Sequence, residues 1–135
     1  MTASDLPAVI AVDDKAFGAP RAFLVESLFG RAPQHAFVTN DLTGFVLARP
    51  GRIATQIGPV VANDEAAAAS LVGAALDSVT GPAFIDLVDR WTAIVNRLRH
   101  RGFTVQRPFT QMALNRRDPL GNPENLFAIT GPEFG

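Results

Sequence analysis

Asp86 is the side chain in this sequence that is best placed for acid–base chemistry. It follows the apolar residues 83–85 near the end of a predicted buried strand, and Asp89 comes three residues later. Open α/β sheets bind their ligands at the carboxyl ends of such strands. A partly buried carboxylate has a raised pKa and can act as general base toward an amine. The alternative interpretation is that Asp86 or Asp89 caps the helix that follows, because N-cap positions favour aspartate.

The composition argues against several other kinds of site. The 135 residues include no cysteine and only two histidines, so we expect no disulfide, no thiolate catalysis and no metal site. A formal net charge of −1 lacks the basic excess that binding to a nucleic-acid backbone requires. The sequence contains neither a signal peptide nor an apolar run of membrane-spanning length, and we expect a cytoplasmic protein.

The hydrophobic pattern predicts an α/β protein that forms one domain over residues 1–135. Two short helices come first, and the strands expected after them cover residues 36–38, 44–48 and 53–61. The sequence Arg49-Pro-Gly-Arg52 favours a tight turn, so the second and third strands should form an antiparallel hairpin. Gly58 and Pro59 predict a break in the pairing of the third strand, because proline lacks a ladder donor.

The second half of the chain alternates helices with strands. Helices are expected over residues 64–79 and from about residue 90 to a stop at Gly102, with a strand over 83–87 between them. The intervening helix predicts that strands 53–61 and 83–87 are parallel and that no other pair is. Residues 103–107 and 110–114 are expected to form an antiparallel pair, and residues 127–129 a further short strand.

This order of elements resembles the GNAT superfamily of N-acetyltransferases, most of all the C-terminal domain of two-domain bacterial GNAT proteins. The resemblance covers nearly the whole chain and is carried by Asp13, Phe17-Gly18 and Arg21, by residues 44–51 and 57–62, by Asp86, by Arg101-Gly-Phe103 and by residues 127–135. It implies a GNAT-like mixed, mostly antiparallel sheet flanked by helices. It also implies transfer of an acyl group from acyl-CoA to an amine of a small molecule or a protein.

The resemblance further implies a place for acetyl-CoA and a catalytic role for one carboxylate. The backbone of Ile57, Gly58, Val60 and Val61 would hold the pantetheine arm of the cofactor. The helical turn around Ala66 would meet its phosphates. Asp86 would then be the general base that acts on the acceptor amine.

Three departures from the family pattern bear on the expected activity: the first two below predict that acetyl-CoA binds weakly, and the third removes a catalytic acid. The glycine-rich cofactor loop should lie between Val61 and about Ala69, yet that stretch contains no glycine. Asp64 and Glu65 stand there instead, where carboxylates stabilise a helix start and repel an incoming phosphate. Leu98 occupies the position at which many GNAT enzymes carry a tyrosine acid, and the chain has no tyrosine.

Three functions therefore remain open from the sequence. The chain is an acyltransferase, a degenerate and non-catalytic GNAT-like binding module, or a structural half that pairs with another domain or subunit. The first strand usual in GNAT folds is short or absent, so an exposed sheet edge should be covered by a homodimer partner or by a second GNAT domain. The side chains expected at that surface are Phe37, Phe45, Phe109 and Phe127.

Overall fold

The computed structural model describes residues 1–112, 114–115, 118 and 120–134. The α-helices in these ranges are α1 (Leu6–Phe17), α2 (Ala22–Arg31), α3 (Glu65–Ser78) and α4 (Thr92–His100). The strands are β1 (Phe37–Val38), β2 (Phe45–Pro50), β3 (Thr55–Val61), β4 (Ala83–Leu87) and β5 (Leu126–Ile129). In the described part of the chain, no helix is long and apolar enough to cross a membrane.

The strands form one mixed, mostly antiparallel sheet. β1 pairs with β2 and β2 with β3 in antiparallel fashion, as the hairpin prediction required. β3 and β4 run parallel, with residues 55–57 opposite residues 83–85. Among the described strands this is the one parallel pair, so the α/β class and the GNAT-like sheet are confirmed.

The predicted break in β3 is also confirmed. The parallel pairing with β4 ends at Ile57, directly before Gly58 and Pro59. Beyond this point the two strands part, and β5 lies in the opening between them. The sequence predicted a short final strand at residues 127–129, but it did not predict this position.

β5 is hydrogen-bonded to both strands that flank it. Its antiparallel pairs are Val60 with Ala128, Val61 with Leu126, Asp86 with Ile129 and Leu87 with Ala128. Beyond the ends of the strands, the amide of Val88 donates to the carbonyl of Phe127 at 2.9 Å. The amide of Ala62 likewise donates to the carbonyl of Asn125 at 3.0 Å. β5 thus completes the sheet at the place where β3 and β4 separate.

Helices cover both faces of the sheet. α3 and α4 pack on one face, where the buried residues include Val46, Ile57, Leu71, Val72, Ile94 and Phe127. α1 and α2 pack on the other, with Val9, Val25, Leu28, Phe45 and Leu47. Phe127 is fully buried and stacks on Trp91 with ring centroids 4.2 Å apart. The expectation that Phe45 and Phe127 lie at a partner surface is therefore wrong, because both belong to the core.

The segment after α4 differs from the prediction. Residues 103–112 form no strand, so the expected pair at 103–107 and 110–114 is wrong for the described part of it, and Ala113 lies outside the described residues. Pro108 lacks an amide donor and interrupts any ladder in the middle of this segment. Phe103 packs against the core, whereas Val105, Phe109 and Met112 are exposed.

Candidate functional site

Asp86 lies on β4, on the face of the sheet opposite α3 and α4. Its carboxylate is half-buried and accepts a hydrogen bond from Nε2 of Gln56 at 3.0 Å. Burial raises the pKa of Asp86, and the Gln56 hydrogen bond and the positive charge of Arg107 oppose that rise. A carboxylate with a raised pKa is a better proton acceptor for an amine. The structure therefore gives Asp86 the raised pKa that the sequence analysis expected, and its role as general base stays a prediction.

The alternative role for this carboxylate, as a helix cap, is wrong. In the part of the chain that the structure describes, neither Asp86 nor Asp89 caps α4. Two amides of the first turn of α4 instead donate to Oε1 of Glu65, from Ala93 at 3.2 Å and from Ile94 at 3.3 Å. Sequence reasoning missed this function of Glu65, because its partners lie far along the chain on another helix.

The start of α3 carries carboxylates where the resemblance implies phosphates. Asp64 is the N-cap residue, and its Oδ1 accepts the amide of Ala67 at 2.8 Å, as the sequence suggested. Because Glu65 caps α4, backbone amides at the start of each helix already donate hydrogen bonds to a carboxylate of the protein itself. Ala66 is exposed in a groove of about 190 Å³ between the two helices, lined by Glu65, Ala66, Ala69, Ala93 and Arg97. A phosphate in this groove would meet negative charge at the position where a helix dipole normally attracts it.

The other expected cofactor residues lie on β3, beside the opening that β5 fills. Ile57, Gly58, Val60 and Val61 are all buried, and the last two pair directly with β5. A Cβ atom added at Gly58 would lie 2.1 Å from the carbonyl oxygen of Ile129. The pantetheine arm of acyl-CoA and β5 cannot occupy this opening together. The residues present therefore do not fit acyl-CoA between β3 and β4.

The residues after β5 fold over the face that carries the candidate base. Arg49 forms an ion pair with Glu133, and its guanidinium group lies 5.6 Å from the centre of the Phe134 ring. The carbonyl of Phe134 accepts a hydrogen bond from Nη1 of Arg21 at 3.4 Å. Among the described residues, Nε of Arg49 and Oγ1 of Thr130 are buried without a hydrogen-bond partner. β5 thus fills the opening, and the residues that follow it cover part of the face beside it.

Comparisons with known proteins agree with this architecture. A family model of an acetyltransferase (GNAT) domain matches residues 9–128. The chain is similar to a holothin acyltransferase of Pseudoalteromonas sp. (strain SANK 73390), with 28% identity over 141 aligned positions. The alignment covers 100% of this chain and 47% of the relative, so the chain spans about half of that protein's length. No solved structure matches the chain significantly. The family match extends over most of the residues, and the chain belongs to the GNAT family of acetyltransferase domains.

Proposed function

We propose that this chain is a GNAT domain of an acyltransferase that transfers an acyl group from acyl-CoA to an amine, and that it is the domain of that assembly that does not hold acyl-CoA. Membership of the GNAT family and the similarity to an acyltransferase support the first part. One observation supports the second part: β5 fills the opening between β3 and β4.

Moving β5 out of that opening would cost free energy. Phe127 and Ala128 are fully buried and Leu126 is nearly so. Exposing a buried Phe or Leu side chain costs about 1.5–3 kcal/mol each. The strand would also give up its hydrogen bonds to β3 and β4. Acyl-CoA would have to recover this free energy before any net binding could be measured.

The length of the relative supports a second domain as the place where acyl-CoA binds. This chain matches 47% of the holothin acyltransferase, which leaves room there for another domain of similar size. A second GNAT domain, on the same chain or on another subunit, would hold the cofactor. The domain described here would then contribute structure, and the face around Asp86 would lie near the shared site.

The first test is calorimetric titration with acetyl-CoA. We expect a Kd above roughly 100 µM, which corresponds to a binding free energy weaker than about −5.5 kcal/mol. Asp64→Lys should not create binding, because β5 still fills the opening. Asp77→Lys is a matched control with the same charge change near the opposite end of α3. Micromolar binding that Asp64→Lys tightens and Asp77→Lys does not would contradict the proposal.

A second candidate function is a complete acyltransferase in which Asp86 takes the proton of the acceptor amine. The half-buried carboxylate with its raised pKa favours this candidate. An assay that measures release of free CoA from acetyl-CoA in the presence of a panel of primary amines distinguishes this candidate from the proposed function. The proposal expects no release above background from the chain alone. Turnover that Asp86→Asn abolishes, and that Asp89→Asn on the exposed turn leaves intact, would establish the second candidate instead.

The raised pKa of Asp86 also predicts how stability depends on pH. The native state holds the proton of this carboxyl more tightly than the unfolded state does. The contribution of Asp86 to the free energy of unfolding therefore falls as pH rises from the ordinary pKa through the raised one. Asn cannot ionise, so Asp86→Asn removes this fall in the free energy of unfolding. As pH rises from acid to neutral, the variant should therefore become more stable relative to the parent. Urea denaturation at several pH values, with Asp89→Asn as control, measures the difference. If the free energy of unfolding depended on pH in the same way in the variant and the parent, burial would not raise the pKa of this carboxyl.

A further inference from the structure

Three neighbouring strands place polar side chains side by side on one face of the sheet. Arg49 of β2 lies opposite Gln56 of β3, so their side chains share a face. Gln56 in turn donates to Oδ2 of Asp86 on β4 at 3.0 Å. Leu47, two residues before Arg49, packs with α1 and α2, so this face is the one opposite α3 and α4. A cation, an amide and a carboxylate thus form a row across the sheet.

Two further charges lie beside this row. Glu133, in the segment after β5, forms an ion pair with Arg49. After burial and the Gln56 hydrogen bond, the charges that act on the pKa of Asp86 include those of Arg107, which lowers it, and Glu133, which raises it. Two arginines and two carboxylates therefore lie near one another, and their formal charges cancel. We call Arg49, Asp86, Arg107 and Glu133 the charge cluster.

The charge cluster is open to solvent, and one of its donors is unused. The side chains of Arg49 and Glu133 are 28% and 49% exposed. Nε of Arg49 is buried, yet among the described residues it has no hydrogen-bond partner. Buried donors in proteins normally have an acceptor, because leaving one without a partner is unfavourable. Arg49 therefore keeps a hydrogen-bonding capacity that the described part of the chain does not use.

The contact between Arg49 and Glu133 uses only part of the guanidinium group. Arginine can bind a carboxylate through two parallel hydrogen bonds, and Arg21 in the core binds Asp13 in this way through Nε and Nη2. In the described structure a single contact joins Arg49 to Glu133, between Nη2 and Oε1. Glu133 is thus an incomplete partner for Arg49, and a free carboxylate could use the Nε that Glu133 leaves empty.

We propose that the charge cluster binds a small zwitterion, with its ammonium group at Asp86 and its carboxylate at Arg49, and that Glu133 holds the place of that carboxylate in its absence. A zwitterion suits a cluster whose own charges cancel, whereas a lone amine or a lone anion would leave one of them unmatched. Arg49 and Asp86 lie two strands apart, and neighbouring strands are about 4.7–4.9 Å apart. The two charges of the ligand must therefore be separated by a short carbon chain, as they are in an ω-amino acid.

The role of this zwitterion as the acceptor amine rests on the proposed function. Its ammonium group would lie at Asp86, the carboxylate that is expected to take a proton from the amine. Binding itself requires neither acyl-CoA nor a second domain, so it can be measured with this chain alone. The inference then names the class of acceptor: an amine that also carries a carboxylate.

Three probes of similar size that differ in charge test the proposal: γ-aminobutyrate, butylamine and butyrate. Each is titrated into the isotope-labelled chain, and the backbone amide signals are followed by nuclear magnetic resonance. γ-Aminobutyrate should bind roughly tenfold more tightly than either of the others, because it alone makes both charge-assisted contacts. The signals that move should be those of Gln56, Asp86 and the residues around Glu133. Absence of binding, equal affinity for the three probes, or shifts outside the charge cluster would overturn the proposal.

Substitutions test the two ends of the site separately. Arg49→Gln and Asp86→Asn should each weaken binding of γ-aminobutyrate by roughly tenfold. The matched controls are Arg52→Gln and Asp89→Asn, which make the same charge changes at exposed positions outside the charge cluster. Both controls should bind as the parent does. A loss of affinity as large in the controls as in the cluster variants would mean that only the net charge of the protein matters, and the site would be rejected.

Glu133→Gln tests the place-holding role. This change lies on the surface and removes the charge that competes for Arg49, so γ-aminobutyrate should bind several-fold more tightly. Unchanged or weaker binding would show that Glu133 does not stand in for a ligand carboxylate. The acetyl-CoA titration is a separate measurement: absence of zwitterion binding overturns this inference alone, and micromolar binding of acetyl-CoA contradicts the proposed function alone.

Discussion

Replacing Asp13 with alanine should lower the free energy of unfolding by about 3–5 kcal/mol, because it would leave a buried arginine without its partner. Asp13 is fully buried and Arg21 is 5% exposed. The carboxylate accepts Nε of Arg21 at 2.7 Å and Nη2 at 2.9 Å. The guanidinium group also lies 3.7 Å from the centre of the Phe17 ring, which holds it in place. Urea denaturation of the parent and the variant measures the loss.

Asp14→Ala is the control for this prediction. It removes a neighbouring carboxylate on the same helix that, among the described residues, accepts only the amide of Arg21, at 3.4 Å. The expected change is about 0.5–1 kcal/mol. The double change Asp13→Leu with Arg21→Met should recover much of the stability, because apolar residues often replace a buried ion pair at little cost. A loss below about 1 kcal/mol in Asp13→Ala would show that the pair is not buried as described.

The features that the sequence predicted correctly have short-range causes. The apolar spacing between residues 64 and 79 fixes α3, and Asp64 caps it through the amide of Ala67, three residues away. The parallel pairing of β3 and β4 follows from the helix between them. The break at Gly58 and Pro59 follows from the missing proline donor. These inferences need only residues near in sequence or, for the parallel pair, the helix that joins the two strands.

The features that the sequence could not predict depend on distant partners. The apolar run of β5 would suit any position in a sheet, and its place between β3 and β4 is set by residues far away along the chain. The sequence pattern thus favours a partner surface for Phe127, although it lies in the core against Trp91. Glu65 was expected to favour its own helix, yet it caps α4 through amides 28 and 29 positions later. For the candidate site, the sequence predicted the partly buried carboxylate of Asp86 but not the strand that fills the opening beside it.

Gly58→Ala should destabilise the protein by about 3 kcal/mol or more, the sum of backbone strain and overpacking. Gly58 has a φ of +143°, a conformation that residues with a side chain rarely adopt. The added methyl carbon would lie 2.1 Å from the carbonyl oxygen of Ile129, a backbone atom of β5. This steric clash can be relieved only if β5 moves away from β3. Urea denaturation measures the loss, and hydrogen exchange locates it.

The amides that report on β5 are those of Ala62 and Val88, which donate to carbonyls of residues 125 and 127. Both should lose protection from exchange in Gly58→Ala. Gly73→Ala is the matched control, because Gly73 lies inside α3 and an added methyl group would meet nothing within 4 Å. That change should stabilise the protein by about 0.5–1 kcal/mol. If Gly58→Ala were as stable as the parent, β5 could not approach β3 this closely. The opening would then be free for a ligand, and the proposal that this domain does not hold acyl-CoA would lose its main support.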